Sequence, residues 1–245
     1  MRTLTNRILT LLRRWWTARR FGVRFHGMSK TTLPGEVRFG ATVRPIRVPD
    51  HSIFVHDFAN VVLDDDYGLR SLASAPRTIV DIGSNIGMFS AYARGLFPDA
   101  TIHAYEPSPA TAEYNRFNAG HPKTTLFLEG VAATAGRAKM VEIGASTLSR
   151  TEITQEGDIE LVPFSKVRER LGRPIELLKV DCEGAEWDFM TDPAEFAEVG
   201  AIRMEYHLVD GRTLDDLHAM AKGIGFKVVH LLENDAFGIA WLDRR

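Results

Sequence analysis

From residue 77 onward, short apolar runs alternate with segments whose apolar positions recur at helical spacing. The runs at 78–82, 101–105, 125–128, 176–181, 201–206, 227–232 and 237–242 predict seven strands. Helices fit between them at 88–97, 109–119, 185–190 and 214–223. Strands that alternate with helices imply an α/β fold, a mostly parallel sheet with helices on both faces. Only residues 233–236 separate the last two strands, too few for a crossover of about a dozen residues, so the chain closes on an antiparallel hairpin.

Residues 36–75 read differently. Short extended stretches at 37–39, 43–48, 53–55 and 61–63 are punctuated by Gly40, Pro45 and Pro49, which predicts small strands or a hairpin leading into the main domain. Asp64, Asp65 and Asp66 look like a metal cluster at first sight, but three consecutive carboxylates point in different directions on a regular backbone; a solvated turn is expected. The polar stretch 143–172, with Ser146, Thr147, Ser149, Arg150 and Thr151, is read as a lid or selectivity loop over the ligand-binding edge, or as an ordinary solvated connection.

Before residue 36 a third pattern appears. On a helix over residues 4–20, Leu4, Ile8, Leu11, Leu12, Trp15 and Trp16 fall on one side and Arg7, Arg13, Arg14 and Arg20 on the other. Charge sharpens this picture. The 245 residues hold 30 Lys and Arg against 32 Asp and Glu, too near balance for a surface built to coat nucleic acid. Yet residues 1–35 carry eight basic residues and no acid, which leaves 22 basic against 32 acidic residues, or −10, in the rest. The chain therefore divides into a basic amphipathic arm (1–35), a lead-in (36–75) and a main domain (76–245). The arm suits docking on the protein's own core or a second subunit, peripheral contact with an anionic membrane through residues 4–20, or a targeting peptide. No run approaches the roughly 20 apolar residues of a membrane span. The single cysteine, Cys182, points to a reducing compartment, so a cytoplasmic protein, peripheral at the inner face of the membrane, is expected.

The first core strand runs into Val80-Asp81-Ile82-Gly83-Ser84-Asn85-Ile86-Gly87 and then a helix. Gly83 and Gly87 let the backbone approach a ligand at the carboxyl edge of the sheet. The G-x-x-x-G spacing departs from the G-x-G-x-x-G of dinucleotide sites, and Asp81 would repel phosphate and suit a cation. The next strand ends Tyr105-Glu106-Pro107, placing Glu106 where a carboxylate can accept hydrogen bonds from both ribose hydroxyls. A ribonucleoside without phosphate and with a positive charge describes S-adenosyl-L-methionine.

Three acids close the fourth core strand in Lys179-Val180-Asp181-Cys182-Glu183-Gly184-Ala185-Glu186, and Glu205-Tyr206-His207 closes the fifth. Asp181, Glu183, Glu205 and His207 therefore converge on the edge that carries the Gly loop. This combination resembles the FkbM family of S-adenosylmethionine-dependent methyltransferases over roughly residues 60–207. The resemblance implies a Rossmann-like class I methyltransferase fold and O-methylation of hydroxyl groups on sugars, glycolipids, polyketides or related metabolites. It departs at Glu129-Gly130-Val131-Ala132, where the family often has Asn-x-Ala, so the adenine contact falls to Glu129 or to backbone near Val131. It departs again at Phe164-Ser165-Lys166-Val167, where Thr-Leu-Asp is common.

A sugar hydroxyl must lose its proton as it attacks, so a base or a metal is expected. His207 is the expected base, with Asp181 near the reacting centre, Glu205 orienting the imidazole or binding sugar hydroxyls, and Lys179 pairing with the acids at the pocket wall. A rival arrangement places Mg²⁺ or another divalent cation on Asp181, Glu183, Glu205 or His207. A catalytically silent nucleoside-binding adaptor at a membrane surface is the alternative outside enzymology.

Overall fold

The computed structural model describes residues 4–23, 33, 35–39, 42–49, 52–142, 149–154, 156–234 and 236–244. In chain order its helices and strands are α1 (Leu4–Phe21), β1 (Glu36–Phe39), β2 (Thr42–Pro45), α2 (Ser52–Phe58), β3 (Thr78–Ile82), α3 (Met88–Leu96), β4 (Thr101–Tyr105), α4 (Pro109–Ala119) and β5 (Thr124–Phe127). The chain continues through β6 (Glu129–Ala132), β7 (Gly136–Glu142), β8 (Ser149–Ile153), β9 (Ile159–Pro163), α5 (Phe164–Leu171), β10 (Ile175–Val180), α6 (Glu186–Phe189), β11 (Val199–His207), α7 (Leu214–Gly223), β12 (Phe226–Glu233) and β13 (Phe237–Arg244).

The seven expected strands form one sheet in the order β12-β13-β11-β10-β3-β4-β5. All neighbours are parallel except β13, which runs antiparallel to both β11 and β12. This is the class I methyltransferase form of the Rossmann-like fold. Strand alternation divides the core in two. Ile79 and Leu177, paired across β3 and β10, face one side, where Phe39, Phe58, Phe89 and Tyr92 pack on them; Val80 and Leu178 face the other, with Phe164, Phe189 and Phe196. Residues of α1, β1 and the lead-in belong to the first of these layers.

Two segments depart from expectation. Residues 53–55 and 61–63 are helical: α2 continues into a π-helix over Ala59–Asp64. The β-branched residues there suggest strand locally, but Phe54, Phe58, Ala59, Val62 and Leu63 are buried at spacings of three to five residues, and that burial decides the conformation. Residues 143–172 are largely regular rather than a plain loop: β8, β9 and α5 fall within them, and β6-β9-β7-β8 make a second, four-stranded sheet. Ser146 and Thr147 lie outside the described residues.

The aspartate triplet is no solvated turn. Its carboxylates do point apart, as expected, but each side chain or backbone group is engaged. Asp64 pairs with Arg13 and Arg14 of α1, Asp65 accepts from the Leu69 and Arg70 N–H groups, and the Asp66 carbonyl accepts from the Trp241 indole at 2.6 Å.

Candidate active site

The Gly loop after β3 is held by its own backbone. Gly83 and Ser84 N–H both donate to the Tyr105 carbonyl at 3.0 Å, Gly87 N–H donates to the Ser84 carbonyl at 2.8 Å, and Asn85 N–H donates to Glu106 Oε2 at 2.8 Å. With those donors spent, the loop has little to offer a pyrophosphate. Glu106 is buried and also accepts from Ser108 N–H at 2.9 Å and the Thr111 hydroxyl at 3.0 Å. Four lone-pair sites on a carboxylate exceed these three donors, so acceptor capacity remains for a hydroxyl at the loop. The residues present therefore fit a ribonucleoside, and Pro107 begins the turn that follows.

Two buried asparagines of α4, which sequence reasoning missed, clamp this loop. Asn115 Nδ2 donates to Ser84 Oγ at 2.8 Å and to the Asn85 carbonyl at 3.0 Å, and Asn118 Nδ2 donates to the Ile86 carbonyl at 2.7 Å. Their signal was legible: amides three residues apart on the inner face of a helix need partners. On the adenine side, the Glu129 side chain is otherwise engaged, which leaves the backbone near Val131. Glu129 is held by a two-pronged contact from Arg170, and the Val131 side chain lies in the core. The Glu129 carboxylate is thus a structural partner and not a free base contact.

Asp81 does not face open space, as a carboxylate reserved for a bound cation would. It is fully buried, accepts from the Ser90 hydroxyl at 2.6 Å and lies 3.4 Å from Lys179 Nζ. Lys179, equally buried, reaches Asp181 Oδ2 at 3.2 Å and donates to the Ile82 and Gly83 carbonyls. One cation thus ties the end of β3 to the end of β10, which is the pairing role expected of it. Tyr67 adds a hydroxyl 3.4 Å from Asp181 Oδ2.

After Asp181 the chain reverses. Glu183 adopts φ +55 and Gly184 φ +104, a turn that sends Glu183 Oε2 back to within 3.3 Å of His207 Nε2. The imidazole's other nitrogen, Nδ1, lies 3.2 Å from Glu186, and Glu205 Oε1 is 3.7 Å from Nε2. Glu186, not Glu205, is the orienting group: fully buried, it also accepts from the backbone N–H of His207 at 2.9 Å and of Gly184 at 2.8 Å. The half-buried Cys182 thiol points at it as well.

These contacts weigh against His207 as the base. Burial pushes the imidazole pKa down, but the hydrogen bond and charge of Glu186, with Glu183 and Glu205, outweigh it and raise the value to about 9. His207 is therefore protonated at neutral pH. Burial first and Asp181 second lift Glu205 to about 8 and Asp57, on α2, to about 7. The basic carboxyl groups of this edge are Glu205 and Asp57. One oxygen each of Asp181 and Glu205 and a His207 nitrogen lie within 4.8 Å of one another. A divalent cation held there would compete with the imidazole proton, so its affinity would rise with pH.

The shifts have a consequence for stability. Glu205 moves from 4.5 to about 8 and His207 from 6.5 to about 9, so the folded chain holds extra protons between each pair of values. Both contributions are complete below the unfolded value and vanish as pH rises through the folded one. The Tm of the ligand-free protein is expected to fall between pH 6.5 and 9; a Tm that rises over this interval contradicts the assignment. A cleft of about 440 Å³ opens against Pro174 and Ile175, at the other end of β10 from this chemistry.

Comparisons with known proteins place the chain among methyltransferases. Residues 81–228 match the methyltransferase FkbM domain. The chain is 26% identical over 230 residues to the 31-O-demethyl-FK506 methyltransferase FkbM of Streptomyces tacrolimicus, covering 78% of this chain and 87% of that protein. It is 27% identical over 140 residues to Methyltransferase 1 of Beauveria bassiana, covering 46% of this chain and 56% of the relative. A precorrin-6y C5,15-methyltransferase structure from Geobacter metallireducens superposes with a TM-score of 0.46 at 16% identity, over 74% of this chain and 86% of that one. With the matched domain spanning the Gly loop, Glu106, Asp181, Glu183, Glu205 and His207, the chain belongs to the FkbM methyltransferase family.

Proposed function

We propose that this protein transfers a methyl group from S-adenosylmethionine to a hydroxyl of a sugar, glycolipid or natural-product acceptor. The observation that carries the reading is the joining of two sites: a nucleoside-fitting loop that begins at Gly83, whose carbonyl is bonded by the same Lys179 that pairs with Asp181. The family match supports methyl transfer, and the Streptomyces relative, whose name specifies an O-linked position, supports oxygen as the acceptor.

When bound, S-adenosylmethionine supplies an electrophilic methyl group for an in-line displacement that needs no covalent enzyme intermediate. The chain's task is to hold the hydroxyl in line, exclude water and take the proton. Glu205 takes the proton in its ionised form, a strong base whose share grows as pH rises toward about 8, so turnover is expected to increase over that interval. Protonated His207 stays in place as the cation that lets Glu183, Glu186 and Glu205 crowd together. The partly exposed oxygens of Asp181 and Glu183 accept further acceptor hydroxyls.

The test has three arms on the purified protein. S-adenosylhomocysteine, but not NADH, is expected to raise Tm. Methyl-labelled cofactor supplied to aqueous and lipid extracts of the source cells should place label in a glycan, glycolipid or small metabolite, and label in protein or RNA overturns the acceptor class. Glu205→Gln should keep the Tm shift while losing about 10²–10⁴-fold in turnover. Cofactor binding without transfer to any fraction would favour the silent adaptor, and turnover abolished by EDTA and restored by Mg²⁺ would replace Glu205 as base with a metal.

A further inference from the structure

The structure settles which side of α1 meets the body. Ala18 and Phe21 are buried, and Arg14 Nε bonds Asp64 Oδ2 at 2.6 Å. The apolar side, expected as one candidate for core docking, turns the other way: Leu9 is 59%, Leu12 52% and Trp16 68% exposed, with Leu11 and Trp15 beside them. Arg19 lies over the Trp15 ring at 4.9 Å, and the exposed Arg20 and Arg13 lie along the margin of this face.

We propose that this outward face of α1 docks the protein on an anionic lipid surface. Charge complementarity selects that occupant. Residues 1–35 contain eight basic residues and no acid, so the face offers arginines that an anionic surface neutralises. A second copy seated on the same face by two-fold symmetry would bring Arg19 and Arg20 of both chains together with no carboxylate from either arm to offset them. Two adjacent tryptophans flanked by leucines match the depth of a head-group layer, where one edge of the ring is apolar and the other wet. No described helix is long and apolar enough to cross a membrane, so α1 would lie along the surface. Its attachment through Asp64 also keeps the apolar stripe presented outward instead of folding back on the core.

The full chain should co-sediment with vesicles of phosphatidylcholine containing roughly a third phosphatidylglycerol, not with phosphatidylcholine alone, and should be released by salt. Leu12→Glu combined with Trp16→Glu should weaken binding at least about tenfold, since two large apolar groups leave the interface. Arg19→Glu with Arg20→Glu should reduce binding to anionic vesicles by a similar factor. Neither pair touches the acidic edge, so S-adenosylhomocysteine should still raise Tm in both, which separates this proposal from the reading of the active site. Equal binding to both vesicle types, no binding to either, or full binding by both variants overturns it. So does a solution dimer that the Leu12/Trp16 variant converts to monomer, because a second copy would then be the occupant.

Discussion

Lys179→Met is expected to destabilise the protein by about 3–5 kcal/mol, the cost of removing one partner from a buried ion pair. The methionine fills similar space, so the loss is electrostatic. Asp81 is fully buried, with only the Ser90 hydroxyl as its remaining hydrogen-bond partner, and Asp181 and the Ile82 and Gly83 carbonyls lose the same donor. For a chain of this length each kcal/mol corresponds to about 2–4 °C, so Tm should fall by roughly 10 °C. Pairing the substitution with Asp81→Asn, which removes the stranded charge, should recover a large part of the loss. Thermal melts of the single and double variants decide the matter: a single variant that melts within a degree or two of the parent would mean that Lys179 holds nothing together.

Gly83→Ala should abolish cofactor binding and with it nearly all turnover. A Cβ at this position would stand 1.6 Å from the Asp181 carbonyl oxygen, which is backbone and has no rotamer by which to escape. The residue also sits at φ +69, strained for any side chain. Accommodation requires the Gly loop and the end of β10 to separate, and their separation displaces Asn85 from Glu106 and Lys179 from the Gly83 carbonyl. The Tm rise with S-adenosylhomocysteine is the direct readout, and a variant that retains it in full refutes the geometry. Gly87→Ala is the milder comparison, because its nearest contact is an Asn115 side-chain atom at 3.0 Å.

The main sheet was legible because each of its strands carries a signal in its own residues. The mostly apolar β3 and β10 must be central, and the four residues before Phe237 permit only a hairpin. The second sheet was not legible, since β6 to β9 are short, polar on one side and stabilised by each other. Nor was α5, which starts at Phe164 with no side-chain cap to announce it. At the site, the chain pattern located the acids correctly but could not assign their protons. Whether His207 is a base depends on Glu186, 21 residues earlier in sequence and in contact only through the fold. Asp57 and Tyr67 escaped notice for a related reason: they lie in the lead-in, and only its packing against the sheet brings them to Asp181.

Asp64 is gripped by two arginines of α1, and three residues further on Tyr67 meets Asp181. Only this short stretch of chain separates the two contacts. If docking at α1 alters ligand affinity through this stretch, thermodynamic reciprocity ties the two events together. Whatever factor a docked surface applies to ligand affinity, the bound ligand must apply to affinity for the surface. An enzyme wired in this way would register where it is before it registers what it holds.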